Sequence, residues 1–137
     1  MKEKFVQMAV KNFEEGYSCS QSVVKAGIDL GLCSDVLFNV STSFSGGMGS
    51  GCLCGAISGA QMIVGALFGS SKPEAMKIAS EIITEFKKRN NVTCCKVLTK
   101  DFKDFHSPER RAHCIKMVKD ASEILCDVAL SKVKVSN

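Results

Sequence analysis

The residues with the clearest chemical potential are cysteines, and their placement says more than their number. Cys52 and Cys54 form a C-x-C pair after the run Gly46-Gly47-Met48-Gly49-Ser50-Gly51. Cys19 opens a helical pattern, Cys94 and Cys95 are adjacent, and Cys114 falls on the apolar stripe of the last helix. The N-terminal stretch Met1-Lys2-Glu3-Lys4-Phe5-Val6-Gln7 has no apolar core and no small-residue cleavage site, so a cytoplasmic location is expected. A reducing compartment has little use for structural disulfides, and eight cysteines in 137 residues then point to metal or redox chemistry.

Helix starts make such thiols useful. Cys19 and Cys54 fall in the first turn of expected helices, and Cys94/Cys95 in that of a short one. The free N–H groups and partial positive charge there favour the thiolate, which is both nucleophile and metal ligand. Cys114 instead lies inside its helix, facing inward. If the three helix starts converge on it, the pocket suits an anionic thiolate–metal cluster. Cys19, Cys54, Cys114 and one or both of Cys94 and Cys95 are therefore the candidate ligands or redox thiols, with Cys52 as a further candidate. Gly46, Gly47, Gly49 and Gly55 would let main-chain N–H groups approach a bound anion or sulfide. The run lacks the Gly-Lys-Ser/Thr ending of a phosphate loop and follows no strand, so a nucleotide site is not expected. Cys33 and Cys126 read as small buried hydrophobes. His113 points about a quarter turn away from Cys114 and His106 reads as solvated. Met48 and Met62 read as core fillers, and Phe44 as an apolar lid.

These side chains need helices to hold them, and nearly every segment reads as one. Phe5, Ala9 and Phe13 mark a first helix that Gly16 ends. Ser18 with Gln21 is a capping-box signature, followed by Cys19, Val23, Ala26 and Leu30 in helical rhythm and Gly31 as a stop. A short turn or helix around 34–40 leads to the glycines. A third main helix from about Cys54 to Phe68 is apolar almost all round, and Gly55 with Gly59 allows a close backbone neighbour or a homodimer contact. Ala75, Ile78, Ala79, Ile82, Ile83 and Phe86 form one stripe that Asn90-Asn91 ends. Thr93 can cap a turn over 94–98, 101–106 reads as loop, and Ser107-Pro108-Glu109 starts the last helix, with Cys114, Val118, Ala121, Leu125 and Val128 on one side. The expected fold is all-α, a single domain over 1–137. About five main helices plus short turns form its bundle, with the glycine-rich loop before the central buried helix.

Composition narrows the function classes. The formal charge of +4 is spread out; Lys87-Lys88-Arg89 and Arg110-Arg111 are the only basic runs, and both read as solvated helix surface. With few aromatic residues, this excludes a nucleic-acid binder. The segment Gly51–Phe68 is rich in Gly, Ala and Cys and holds Ser58 and Gln61, so it reads as a buried helix and no membrane insertion is expected.

Gly46-Gly47-Met48-Gly49 followed by Cys54-Gly55-Ala56-Ile57-Ser58-Gly59 resembles the CGAxxG signature of the C_GCAxxG_C_C family of redox-active proteins. Ser18-Cys19-Ser20-Gln21-Ser22-Val23 resembles its first cysteine segment, and Cys95-Lys96-Val97-Leu98 and His113-Cys114-Ile115 its third and fourth. The resemblance spans nearly the whole chain. It implies a small redox protein with four characteristic cysteines, often encoded near transporter genes, hence an expected functional link to a transporter. A related domain in a multihaem cytochrome is associated with an iron–sulfur cluster. The absence of C-x-x-C-H here leaves the haem behind, and the doubled Cys94/Cys95 and the extra Cys52 depart from the pattern. The leading expectation is an iron–sulfur cluster on Cys19, Cys54, Cys95 and Cys114, exchanging electrons with a redox partner that the sequence does not name. Metal-free thiol–disulfide exchange is the first alternative, weakened by the lack of C-x-x-C. A non-catalytic zinc module is the second, weakened by the wide scatter of the cysteines.

Overall fold

The computed structural model describes residues 1–102, 104 and 107–133. Helix α1 (Lys2–Glu14) buries Phe5, Ala9 and Phe13 along one face and ends before Gly16, whose φ of 110° only glycine adopts easily. Helix α2 (Cys19–Asp29) begins on the anticipated capping box. Ser18 Oγ accepts from the Gln21 N–H at 3.3 Å, and Gln21 Oε1 accepts from the Ser18 N–H at 3.0 Å. This cap fixes Cys19 as the first helical residue.

The short helix α3 (Val36–Thr42) lies about two residues later than expected, after which Gly47–Gly51 makes one wide turn. Within it Met48 holds a left-handed φ of 59° and is 46% exposed, so it is not the core filler its type suggested. The glycines around it fold the chain so sharply that its side chain is turned outward. Helix α4 (Gly55–Phe68) is buried on every side from Gly55 to Ala60, whereas Gly65 and Ala66 reach the surface. It packs against α2, α5 (Lys72–Asn90) and α7 (Pro108–Val128). The stripe of α5 is buried at Ile78, Ile82 and Phe86, and that of α7 at Cys114, Val118, Ala121 and Leu125, with Met117 and Ile124 beside them. One hydrophobic cluster draws on α1, α2, α4, α5 and α7. Arg89 ties the surface of α5 to Asp120 at 3.2 Å and Glu123 at 3.0 Å on α7.

Between α5 and α7 lies the single-turn helix α6 (Cys95–Leu98). Its cap is Cys94 and not Thr93, and Cys94 makes no side-chain cap bond. Thr93 contributes its carbonyl instead, accepting from the Cys54 N–H at 2.7 Å. That bond places the starts of α4 and α6 side by side. In the stretch 101–106, residues 101, 102 and 104 adopt no regular helix, while the readings for His106 and for positions 103 and 105 lie outside the described residues. No strand occurs among the described residues, and no helix there is long and apolar enough to cross a membrane.

The Gly55/Gly59 face is taken by α2 within the chain. A Cβ at Gly59 would meet the Ser20 carbonyl oxygen at 2.8 Å and Val23 Cβ at 3.1 Å, while one at Gly65 meets nothing within 4 Å. Backbone cannot step aside as a side chain can. Gly59→Ala is therefore expected to destabilise by about 1–3 kcal/mol through overpacking, and Gly65→Ala to stabilise by about 0.5–1 kcal/mol through helix propensity. Urea unfolding of both variants checks this; equal midpoints would contradict the close α2–α4 packing.

Candidate redox site

Four chain segments deliver the four expected thiols. Cys19 is the first residue of α2, Cys54 caps α4, Cys95 is the first residue of α6, and Cys114 lies one turn further into α7. All four line one cavity of about 70 Å³, walled also by Phe13, Leu98 and Met117. By that measure it holds several water-sized groups. Cys52 and Cys94 do not line it; Cys52 is exposed. Cys126 is buried far along α7, as a small hydrophobe, whereas Cys33, beside Gly27, is only half-buried. All eight thiols are free.

The glycines divide between tasks. Gly46 and Gly55 line the thiol cavity, and a Cβ on Gly47 would meet Cys95 Cβ at 3.0 Å and the Cys52 nitrogen at 2.7 Å. Only glycine lets the loop lie this close to α6. Gly49 stands outside, on a second cavity. The loop also spends N–H groups on itself, Met48 donating to the Phe44 carbonyl at 3.2 Å and Cys52 to that of Gly47 at 3.1 Å. Phe44 is half-buried and contributes this carbonyl to the loop.

Electrostatics at the four thiols departs from the expectation that helix starts lower them all. Burial pushes Cys54 up to about 12, although the main-chain N–H groups of Ala56 and Ile57 pull the other way. Cys95 is also raised by burial, against the opposing pull of Arg110. A half-charge at a helix start does not outweigh removal of a thiolate from water. Cys114 goes in the opposite direction, to about 7. Its main support is the S–H of Cys19, and the charges of Arg110 and Arg111 add to it while burial opposes. As the donor in that pair, Cys19 is held well above its ordinary value. Of the four thiols, Cys114 is thus the one whose ionisation the pocket favours.

Both arginines were read from sequence as solvated surface, and the structure corrects this. Arg110 is 8% exposed and donates to Cys95 Sγ at 3.4 Å. Arg111 is half-buried, its guanidinium 4.1 Å from the Phe13 ring, and donates to the Phe13 and Tyr17 carbonyls at 2.7 and 3.1 Å. The missed signal was spacing: Arg110 precedes Cys114 by four residues, so both occupy one helix face. His113 stays off the site, its Nε2 2.8 Å from the Leu98 carbonyl oxygen and its ring against Phe102.

In the reduced, metal-free protein one thiol should titrate near neutrality, the thiolate forming as pH rises through about 7. Thiolate absorbance in the ultraviolet checks this: Cys114→Ser should abolish the step and Cys19→Ser should move it upward. No step in wild type between about pH 6 and 8 would contradict the charge assignment.

No curated protein and no solved structure gave a significant match to the chain. One family model did, described as "Putative redox-active protein (C_GCAxxG_C_C)" and matching residues 17–128, a span that holds all four cavity thiols. With its four cysteines gathered around one cavity, the chain belongs to the C_GCAxxG_C_C family of redox-active proteins.

Proposed function

We propose that the cavity holds an iron–sulfur cluster ligated by Cys19, Cys54, Cys95 and Cys114, and that the protein carries electrons. The observation that supports this is the convergence of four thiols from four helices on one cavity. Four thiolates are the complement such clusters use. Among the described residues no three His, Cys, Asp or Glu side chains group closely enough to hold a single metal ion.

A bound cluster would supply reversible one-electron chemistry. Arg110 would hold Cys95 by its N–H and, with Arg111, offset the negative charge of the thiolates. Phe13, Leu98 and Met117 would keep water from the sulfurs. Three thiols that resist ionisation in the empty pocket would need a metal's charge to lose their protons, so loading should release protons.

The shared cavity wall of Cys19 and Cys114, with their opposite shifts, favours a second reading, thiol–disulfide exchange. There the Cys114 thiolate would attack one sulfur of an external disulfide, expelling a thiolate, and Cys19 would displace the second to close a Cys19–Cys114 disulfide. Both electrons end on the partner's two sulfurs.

Anaerobic reconstitution distinguishes the two. The cluster reading expects a coloured protein with iron and acid-labile sulfide in similar amounts, lost in Cys54→Ser and kept in Cys126→Ser. A colourless, iron-free protein that forms a Cys19–Cys114 disulfide would overturn it in favour of the second.

A further inference from the structure

A second and larger cavity, about 640 Å³ and open to solvent, lies against the thiol pocket and shares with it Ser45, Gly46, Cys95, Thr99 and Arg110. Cys95 and Arg110 thus form a common wall, one side facing the four-thiol centre and the other the outer chamber. The chamber's remaining lining is Gly49, Gly51, Lys96, Lys100 and Phe102. Among these described residues there are three cations and no carboxylate.

The cations have a common geometry. Lys96 and Lys100 are four apart, at α6 and the turn that follows it, so their stems rise on the same side. Arg110 enters from α7 and is fixed by its bond to Cys95 Sγ. The glycine turn is packed closely onto α6: a Cβ on Gly51 would stand 3.0 Å from Lys96 Cβ and one on Gly47 3.0 Å from Cys95 Cβ. Phe102, its ring tilted against that of His113 at 5.1 Å, adds one flat apolar surface.

We propose that this chamber binds a small organic anion, an oxyanion head of phosphate or carboxylate type set between Lys96, Lys100 and Arg110, with an apolar body against Phe102. The volume lies within the range of small-molecule pockets. Cations gathered in a cleft with a low-dielectric wall concentrate anions there. The site stands on its own geometry and does not depend on which redox chemistry the thiols perform. Its position gives it a consequence: a bound anion would lie against the Arg110–Cys95 wall and oppose the charge that the arginine supplies to the centre.

Amide chemical shifts of the full, metal-free chain at low ionic strength test this with two probes, inorganic phosphate and phenyl phosphate. Both are expected to give saturable shifts around 45–51 and 96–102, with phenyl phosphate binding several-fold tighter. Lys96→Gln/Lys100→Gln should weaken both by about tenfold, as loss of two charge contacts implies, and Phe102→Ala should remove only the advantage of the phenyl ester. A Lys87→Gln/Lys88→Gln control on α5 should bind as wild type. Shifts scattered over surface lysines, or unchanged binding in the Lys96/Lys100 variant, would overturn the site. Equal affinity for the two probes would overturn the apolar half of the proposal. Because no metal or thiol reaction is read, these outcomes leave the redox reading to its own test.

Discussion

Arg111 reaches across from the first turn of α7 to the Phe13 carbonyl at the end of α1 and the Tyr17 carbonyl just beyond it, and the site depends on that reach. The guanidinium satisfies the Phe13 and Tyr17 oxygens, lies over the Phe13 ring and leaves a positive charge beside Cys114. Since Ser18 caps α2 directly after Tyr17, the same contact fixes where Cys19 stands relative to Cys114. A second link works on the other side. The Cys54 N–H donates to Thr93, two residues before Cys95, so the starts of α4 and α6 are joined through main chain. Arg110 then joins the two halves through Cys95. Loops need not hold the thiols; each is held by a helix start or a helix face.

Packing sets the limit on this arrangement. Gly55 and Gly59 bring α4 against Ser20 and Val23 of α2, tightly at Gly55 and at Gly59 too closely for a side chain without a shift. This close crossing brings Cys19 and Cys54 to one cavity, and the same tightness removes water from the thiols. Burial then decides their protonation. The half-charge of a helix start is worth a fraction of the desolvation it faces, which is why Cys54 and Cys95 move up and only Cys114, with two guanidiniums and an S–H donor, moves down.

Much of the fold could be read from the chain because it is written in local signals. Ser18 with Gln21, Gly31 at φ 75°, and Ser107 with Pro108 each state a helix boundary in residues that touch one another. The four site cysteines were legible for the same reason, each standing at a boundary or on a stripe. What was not legible depends on tertiary contact. Arg110 and Arg111 look like surface until α1 and α6 are placed over them, and Met48 looks like core until the glycine turn rolls it outward. The sign of a thiol's shift likewise depends on how deeply it is buried, which no local pattern reports.

The claim at the centre of this account is that four thiols form one redox unit. Voltammetry of the reconstituted protein, with single Cys→Ser variants, tests it directly. The account predicts one reversible couple that is lost or strongly displaced in each of Cys19→Ser, Cys54→Ser, Cys95→Ser and Cys114→Ser, and unchanged in Cys33→Ser. A couple that survives unaltered when any one of those four is replaced would contradict it.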